Sequence, residues 1–147
     1  MSDPKQYCTF FLDELFFGVN VLDVQEVIKF QPVTLVPLAS RVVSGLINLR
    51  GQIVTAIDLR RRLELDDREE GIPPMNVVVR TDHGLVSLLV DDIGDVLEVS
   101  GDTFEPPPPT MKGVARELIA GVHKLDGHLL LLLDMPKVVL VPEFKGG

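Results

Sequence analysis

One stretch of this sequence occurs twice, and the repetition limits the folds that are available to the chain. Residues 44–63 hold two apolar runs around a polar turn, and residues 120–138 repeat the pattern 76 positions later. β-Branched and aliphatic residues on both sides of a turn that contains glycine are typical of a β-hairpin. The residues that coincide at this offset are Gly45 with Gly121, Leu49 with Leu125, Gly51 with Gly127 and Asp58 with Asp134.

A second repeat has a different offset. Residues 18–28 match residues 87–97 at a distance of 69 positions. The offsets of 76 and 69 differ by 7, which indicates a seven-residue insertion in the second half of the chain. The segment 101–109 is the natural place for it, because its four consecutive prolines favour a stiff surface loop. We therefore interpret the chain as an internal duplication of one all-β unit.

The pattern of short apolar runs predicts an all-β fold of about ten strands with short helical turns. The duplication divides these strands into two five-stranded lobes and favours two small barrels side by side, with a sandwich as the alternative. Within a single domain at 1–147 we place lobe one at about 6–65, a connection at about 66–74 and lobe two at about 75–140. The absence of crossover helices excludes a doubly wound fold.

Two local elements of lobe one follow from residue spacing. Val21, Val24 and Val27 recur every three residues, so we expect a helical turn at 22–26. We expect an edge strand at 33–36, because the prolines that flank it cannot donate to a sheet ladder.

Composition narrows the class of partner. At 147 residues and 46% hydrophobic content the chain can bury a sizeable core. Its net charge of −8 opposes binding to nucleic acid or to an anionic membrane. The lone cysteine, Cys8, is expected to be a buried thiol, and the arginines at 60–62 are interpreted as a solvated surface. Short apolar runs and a polar start predict a cytoplasmic protein without membrane insertion.

Residues that carry chemistry are sparse. His123 and His128 lie on opposite arms of the second hairpin, but no further side chain completes a metal-binding spacing. Asp91, Asp92 and Asp95 form a carboxylate cluster, for which a solvated surface is favoured over acid–base catalysis. We expect no metal, no cofactor and no catalytic residue. A small enzyme that uses Asp91 and Asp92 is the weaker alternative.

The first hairpin and the segment before it resemble the CheW family, the adaptors of bacterial chemoreceptor arrays. The matching motifs are GLINLRG at 45–51, DLR at 58–60 and the segment 17–28, and the resemblance covers about 6–139. It implies two five-stranded SH3-like barrels around a shared hydrophobic seam. It also implies a non-catalytic adaptor that couples the cytoplasmic tip of methyl-accepting chemoreceptors to the histidine kinase CheA.

The resemblance also implies where the receptor would bind. The matching positions are Val21, Val24, Glu26, Gly45 and Arg50. It pairs Arg50 with Glu26, which would hold the segment before the hairpin against the turn of the hairpin. For Val21 and Val24, packing in the core is an equally good interpretation.

Kinase contacts are expected around the third and fourth strands, at Val36, Arg41, Val43 and Ile47. Through the kinase and the receptor the protein would be recruited to membrane-associated receptor arrays, with no nucleic-acid partner. An adaptor of the same fold in a non-flagellar pathway, controlling twitching motility or a second messenger, is the alternative within the family.

Overall fold

The computed structural model describes residues 4–140, so the ends of the predicted domain, 1–3 and 141–147, lie outside the described residues. Most of the described chain forms β-strands, with short helices between them. The strands are β1 Lys5–Leu12, β2 Leu15–Asn20, β3 Val24–Ile28, β4 Val43–Leu49, β5 Gln52–Asp58, β6 Met75–Thr81, β7 Gly84–Val90, β8 Asp92–Ile93, β9 Leu97–Val99, β10 Phe104–Glu105, β11 Ile119–Leu125 and β12 His128–Leu133.

The helices are single turns that end or link strands. The α-helices are α1 Leu59–Arg62, α2 Val114–Leu118 and α3 Met135–Val138, and 3-10 turns lie at Val21–Asp23 and Gly101–Thr103. Asp58 caps α1: its carboxylate accepts a hydrogen bond from the Arg60 backbone N–H at 3.0 Å. Asp134 caps α3 in the second copy. A cap of this kind stabilises a short helix by about 1 kcal/mol.

The strands form two sheets, which confirms the all-β fold with two lobes. The five-stranded sheet has the order β3-β6-β7-β5-β4. The seven-stranded sheet has the order β10-β11-β12-β2-β1-β8, and β9 also pairs with β1. The second sheet has more strands than predicted for two reasons. Two short strands, β8 and β9, pair with β1 on either side of Gly94, whereas the single strand β3 pairs with β6 in the other sheet. In addition, β10 pairs with β11 and adds an edge strand.

The sheets do not divide the chain at the predicted connection. The five-stranded sheet uses only residues from 24 to 90, whereas the seven-stranded sheet combines 5–20 with 92–133. The chain therefore crosses between sheets twice, at Val21–Asp23 and at Asp91. The β1–β2 hairpin belongs with the C-terminal strands because β2 pairs in parallel with β12. In the same way the β6–β7 hairpin joins the five-stranded sheet because β7 pairs in parallel with β5. Parallel pairing joins distant segments and leaves no local signal.

The registers of these parallel pairs reproduce the duplication. Thr55 lies opposite Val86 in the five-stranded sheet, and Leu131 lies opposite Phe17 in the seven-stranded sheet. The offsets that align the sequence repeats relate the two pairs: Leu131 lies 76 positions after Thr55, and Val86 lies 69 positions after Phe17. The two lobes are thus equivalent in strand pairing, and each receives a hairpin from the other half of the chain.

The main hydrophobic core is the seam between the two sheets. Phe10, Leu12 and Phe17 of the seven-stranded sheet pack there with Val77 and Leu88 of the five-stranded sheet. Smaller clusters around Ile47 and around Leu130 fill the two barrels. Full burial of each large side chain contributes about 1.5–3 kcal/mol, so the seam holds the lobes together as one unit. The shared seam expected from the resemblance is therefore present.

Two local predictions for lobe one need correction. The helical turn is a 3-10 turn at Val21–Asp23, and β3 begins at Val24, because Asn20 Oδ1 caps the turn at Leu22 N–H and pairing with β6 then extends the chain. The expected strand at 33–36 is only a bridge between Thr34 and Leu46, since the flanking prolines stop the ladder on both sides.

Candidate functional site

Glu26 and Arg50 form an ion pair at the surface of the five-stranded lobe, between β3 and the β4–β5 turn. Glu26 lies on β3, Arg50 lies in the turn between β4 and β5, and Arg50 Nη2 donates to Glu26 Oε2. The Glu26 side chain is 22% exposed and the Arg50 side chain is 67% exposed. The pairing that the family resemblance implied is present, and both charges lie at the protein surface.

The turn that carries Arg50 has a defined geometry. Arg50 and Gly51 have φ values of 51° and 88°, as a two-residue hairpin with a type I′ turn requires. The Asn48 carboxamide oxygen accepts a hydrogen bond from the Gly51 N–H at 2.8 Å and closes the turn. The Arg50 side chain is therefore presented from a rigid position.

The ion pair shifts the pKa values of both partners. The hydrogen bond from Arg50 holds the pKa of the Glu26 carboxyl below its ordinary value of 4.5. The same hydrogen bond raises the pKa of Arg50. Both groups are consequently charged at neutral pH and are available to charged or polar groups of a partner.

The chain crosses between the sheets at Val21–Asp23, and this crossing segment exposes apolar side chains just before β3. Val24 is half-buried and packs against the seam core, whereas the neighbouring Leu22 is 79% exposed. Val21 lies in an open groove of about 450 Å³ with Asn20 and Glu98. Val24 therefore has the core contacts that were the alternative to a receptor contact, whereas Val21 lines a surface that a partner can reach. Leu22 was missed by the sequence analysis, although its place beside two valines was a signal.

Gly45, the remaining residue of the predicted receptor surface, is buried. A Cβ at this position would overlap the carbonyl oxygen of Thr34, which exchanges backbone hydrogen bonds of 2.8 Å with Leu46. The absence of a side chain lets the segment around Thr34 cross β4 closely. Burial leaves Gly45 without surface for a partner, and its role is structural.

The predicted kinase residues divide into surface and core. Val36 and Val43 line a groove of about 320 Å³, which also includes Leu38 and Leu46. Ile47 is 1% exposed and belongs to the core of the five-stranded lobe, so the expected direct contact at Ile47 is corrected. Side chains alternate along β4, so Ile47 points away from the groove that its neighbour Leu46 lines, and the bulge between Val43 and Gly45 breaks this alternation for Val43.

The rim of this groove is more apolar than the sequence suggested. Leu35 and Leu38 are 78% and 105% exposed, and both were missed. The available signal was their place next to prolines: Leu35 lies between Pro32 and Pro37, and Leu38 directly follows Pro37. Prolines interrupt a sheet ladder, so these side chains are not placed in the core as those of a regular strand are. The exposed Arg41 side chain lies 3.4 Å from Asp67. Large exposed apolar side chains beside a groove are typical of a protein contact site.

Asp91 and Arg60 are not solvated, contrary to the sequence interpretation. Arg60 Nε donates to Asp91 Oδ1 at 2.9 Å, and the Arg60 side chain is 8% exposed. Arg68 Nε donates to the same carboxylate oxygen at 3.1 Å. Burial disfavours the charged carboxylate, but hydrogen bonds from Arg60 and from the Asp13 backbone keep the pKa of Asp91 below its ordinary value of 3.8. These groups hold structure at the crossing between sheets.

His123 and His128 have separate surroundings in the structure. His123 is buried and shares a hydrogen bond of 2.7 Å with Thr103 Oγ1, whereas His128 is exposed and packs against Phe16. Within residues 4–140, no group of three or more histidine, cysteine or carboxylate side chains is placed to hold a metal ion.

Comparison with known proteins identifies the family. The family model of the CheW-like domain matches residues 6–142. The chain belongs to this family. The match includes both lobes and every residue of the candidate surfaces. The CheW resemblance seen at the β4–β5 hairpin therefore continues along the chain as far as α3.

Individual CheW proteins resemble the chain over nearly its whole length. A chemotaxis protein CheW from Treponema pallidum is 31% identical over 148 residues, which cover 98% of this chain and 87% of that protein. A chemotaxis protein CheW from Rhizobium meliloti is 29% identical and covers 91% of this chain and 86% of that protein.

A solved CheW structure has the same fold. The crystal structure of the scaffolding protein TtCheW from Thermoanaerobacter tengcongensis aligns with a TM-score of 0.85 at 28% identity. The alignment covers 95% of each chain. Among the described residues, no helix is long and apolar enough to cross a membrane. The chain is thus a CheW-family member of the chemotaxis system.

Proposed function

We propose that this CheW-family chain is a non-catalytic adaptor that couples methyl-accepting chemoreceptors to a CheA-type histidine kinase. The observation that carries the proposal is the presence of two exposed surfaces at opposite ends of one hairpin. Arg50 lies in the turn between β4 and β5, and the groove with Val43 lies at the other end of β4. Seven residues of extended strand separate them by about 20 Å, which leaves room for two partners at once.

The surface at the turn suits the tip of a helical receptor hairpin. The Glu26–Arg50 pair supplies two charges, and the exposed Leu22 and half-exposed Val21 supply apolar area in the segment that leads into the strand of Glu26. A helix binds such a surface with apolar side chains, while polar groups at the rim fix its orientation. We assign the receptor to this end.

The groove at the other end suits the kinase. Val36, Leu38 and Val43 provide a concave apolar surface, and Arg41 stands at its edge with an exposed side chain. The outer edge of the adjacent β4 is already bonded to Thr34 through Leu46, so the apolar side chains of the groove, and not strand pairing at this point, would carry the contact. Recruitment to receptor arrays would then follow from protein contacts and not from membrane insertion.

Reconstitution tests the proposal. The protein is mixed with a CheA-type kinase and a receptor cytoplasmic fragment from the same organism, and binding and kinase autophosphorylation are measured. We expect binding to both partners, and receptor control of the kinase only when this protein is present. Binding to neither partner, or receptor control of equal size without the protein, would exclude the adaptor function.

A further inference from the structure

The strand that carries Glu26 contains a bulge. Val24 lies opposite Val79 of β6, but Glu26 lies opposite Val78, so Gln25 is an extra residue on β3. A bulge of this type turns the following side chains relative to the sheet. Here it accompanies the orientation that places the Glu26 carboxylate against Arg50.

Arg80 stabilises the chain just before this bulge. It follows Val79 on β6, at the point where pairing with β3 ends. Arg80 Nη1 donates to the carbonyl oxygens of Leu22 and Val24, at 3.2 Å each. The guanidinium thus continues the sheet ladder with a side chain and joins the crossing segment to β6.

The surroundings of Arg80 show that this contact lies at the seam. Arg80 lines a cavity of about 210 Å³ together with Asp23 of the crossing segment and with Met135 and Val139 from the other lobe. A displaced crossing segment would therefore move relative to both lobes. The other crossing, at Asp91, is also held by an arginine, Arg60.

We propose that Arg80 is a positioning residue for the receptor-binding surface. It fixes the carbonyls on both sides of Asp23, and this sets the bulge that directs Glu26 toward Arg50. Arg80 acts on binding through Glu26 and the crossing segment, without contacting the receptor itself. The inference rests on the proposed function, because it assigns the receptor to the surface at Glu26.

Hydrogen exchange of the free protein tests the positioning role without any partner. We expect Arg80→Gln to accelerate exchange of the amides at 21–26 by about 2- to 10-fold, the range expected for loss of a net hydrogen bond, while other amides keep their rates. Arg80→Lys retains a donor and should recover part of the protection. Arg116→Gln is the matched control, since Arg116 also donates from an exposed position to one carbonyl, that of Pro108.

Binding measurements test the consequence for the receptor. Arg80→Gln should weaken binding of the receptor fragment by about 2- to 10-fold, leave kinase binding unchanged, and combine with Glu26→Gln less than multiplicatively. Weaker binding with unchanged exchange at 21–26 would mean that Arg80 contacts the receptor directly, and faster exchange throughout the chain would mean a general structural role; either result overturns the proposal. If the unaltered protein fails to bind the receptor fragment, the proposed function fails, while the exchange data still decide whether Arg80 holds the crossing segment.

Discussion

Arg60 and Asp91 join the two lobes at the single residue where the chain passes from β7 to β8. The Arg60 guanidinium donates to both carboxylate oxygens of Asp91, and its Nη2 also donates to Asp13 Oδ1 in the turn between β1 and β2. The Asp13 backbone N–H donates to Asp91 Oδ2 at 2.8 Å. One guanidinium therefore connects α1 of the five-stranded lobe to the β1–β2 hairpin of the other lobe, beside the seam core.

The first prediction concerns this pair. Asp91→Asn should lower the free energy of unfolding by about 2–4 kcal/mol, because the nearly buried Arg60 charge would keep only the largely exposed carboxylate of Asp13 as its partner. Denaturant unfolding measures the change. Asp92→Asn is the control, since Asp92 is exposed, and it should change stability by less than about 0.5 kcal/mol. Equal effects of the two variants would contradict the assignment.

The second prediction concerns the pH dependence of the Glu26–Arg50 pair. The pKa of Glu26 is held below 4.5 in the folded protein, so the pair contributes its full stabilisation above pH 4.5 and loses it as the pH falls through the lower folded-state pKa. NMR titration of the Glu26 carboxyl measures this value. Arg50→Gln should return the pKa toward 4.5, and Lys112→Gln should leave it unchanged. An unchanged value in Arg50→Gln would show that the pair does not persist in solution.

The third prediction separates a binding role of Arg50 from a structural one. Arg50→Glu places two carboxylates next to each other, at Glu26 and in the β4–β5 turn. We expect it to weaken assembly with the receptor fragment clearly and to lower the melting temperature only slightly. Because both charges lie at the surface, little stability depends on them. Lys112→Glu makes the same charge change at another exposed position and should preserve assembly. Parallel losses of assembly and melting temperature in Arg50→Glu would favour a purely structural role.

The fourth prediction tests the apolar groove. Leu38→Asp should weaken kinase binding at least about tenfold, because a charge on an apolar contact must be desolvated on binding. The Leu38 side chain is fully exposed, so the substitution removes no core contact and the melting temperature should stay constant. Ile72→Asp places a charge on another exposed apolar residue outside the groove and is the control for binding measured by calorimetry. Unchanged kinase affinity in Leu38→Asp would move the kinase site elsewhere.

The fifth prediction concerns His123. Burial, aided by the charge of Lys5, lowers the pKa of His123 below its ordinary value of 6.5. The unfolded chain therefore takes up a proton at His123 at a higher pH than the folded chain does, and stability should fall as the pH decreases below 6.5. Thermal unfolding between pH 7 and pH 5 measures the slope. The slope should be smaller in His123→Phe and should persist in the control His128→Gln.

Local sequence patterns were sufficient for the hairpins, but not for the ion pair of the candidate site. The conformation of the hairpin turn at Arg50-Gly51 depends on residues that are adjacent in the sequence. A type I′ turn therefore forms independently of the position of the hairpin in the sheet. The Glu26–Arg50 pair came from the family resemblance, and the structure contains it. The burial of Gly45 and Ile47 was missed, because a motif marks positions in a family without showing which side chains reach the surface.

The sequence by itself determined that the chain is a duplicated all-β unit, since the offsets between its repeats are the offsets between its strand pairs. Only the tertiary structure decided which hairpin joins which sheet. The duplication makes β5 and β12 similar, so the pairing of β2 with β12 and of β7 with β5 depends on contacts between distant segments. The same long-range contacts bury Arg60 against Asp91, because a charged side chain enters the interior only where the fold supplies its opposite charge.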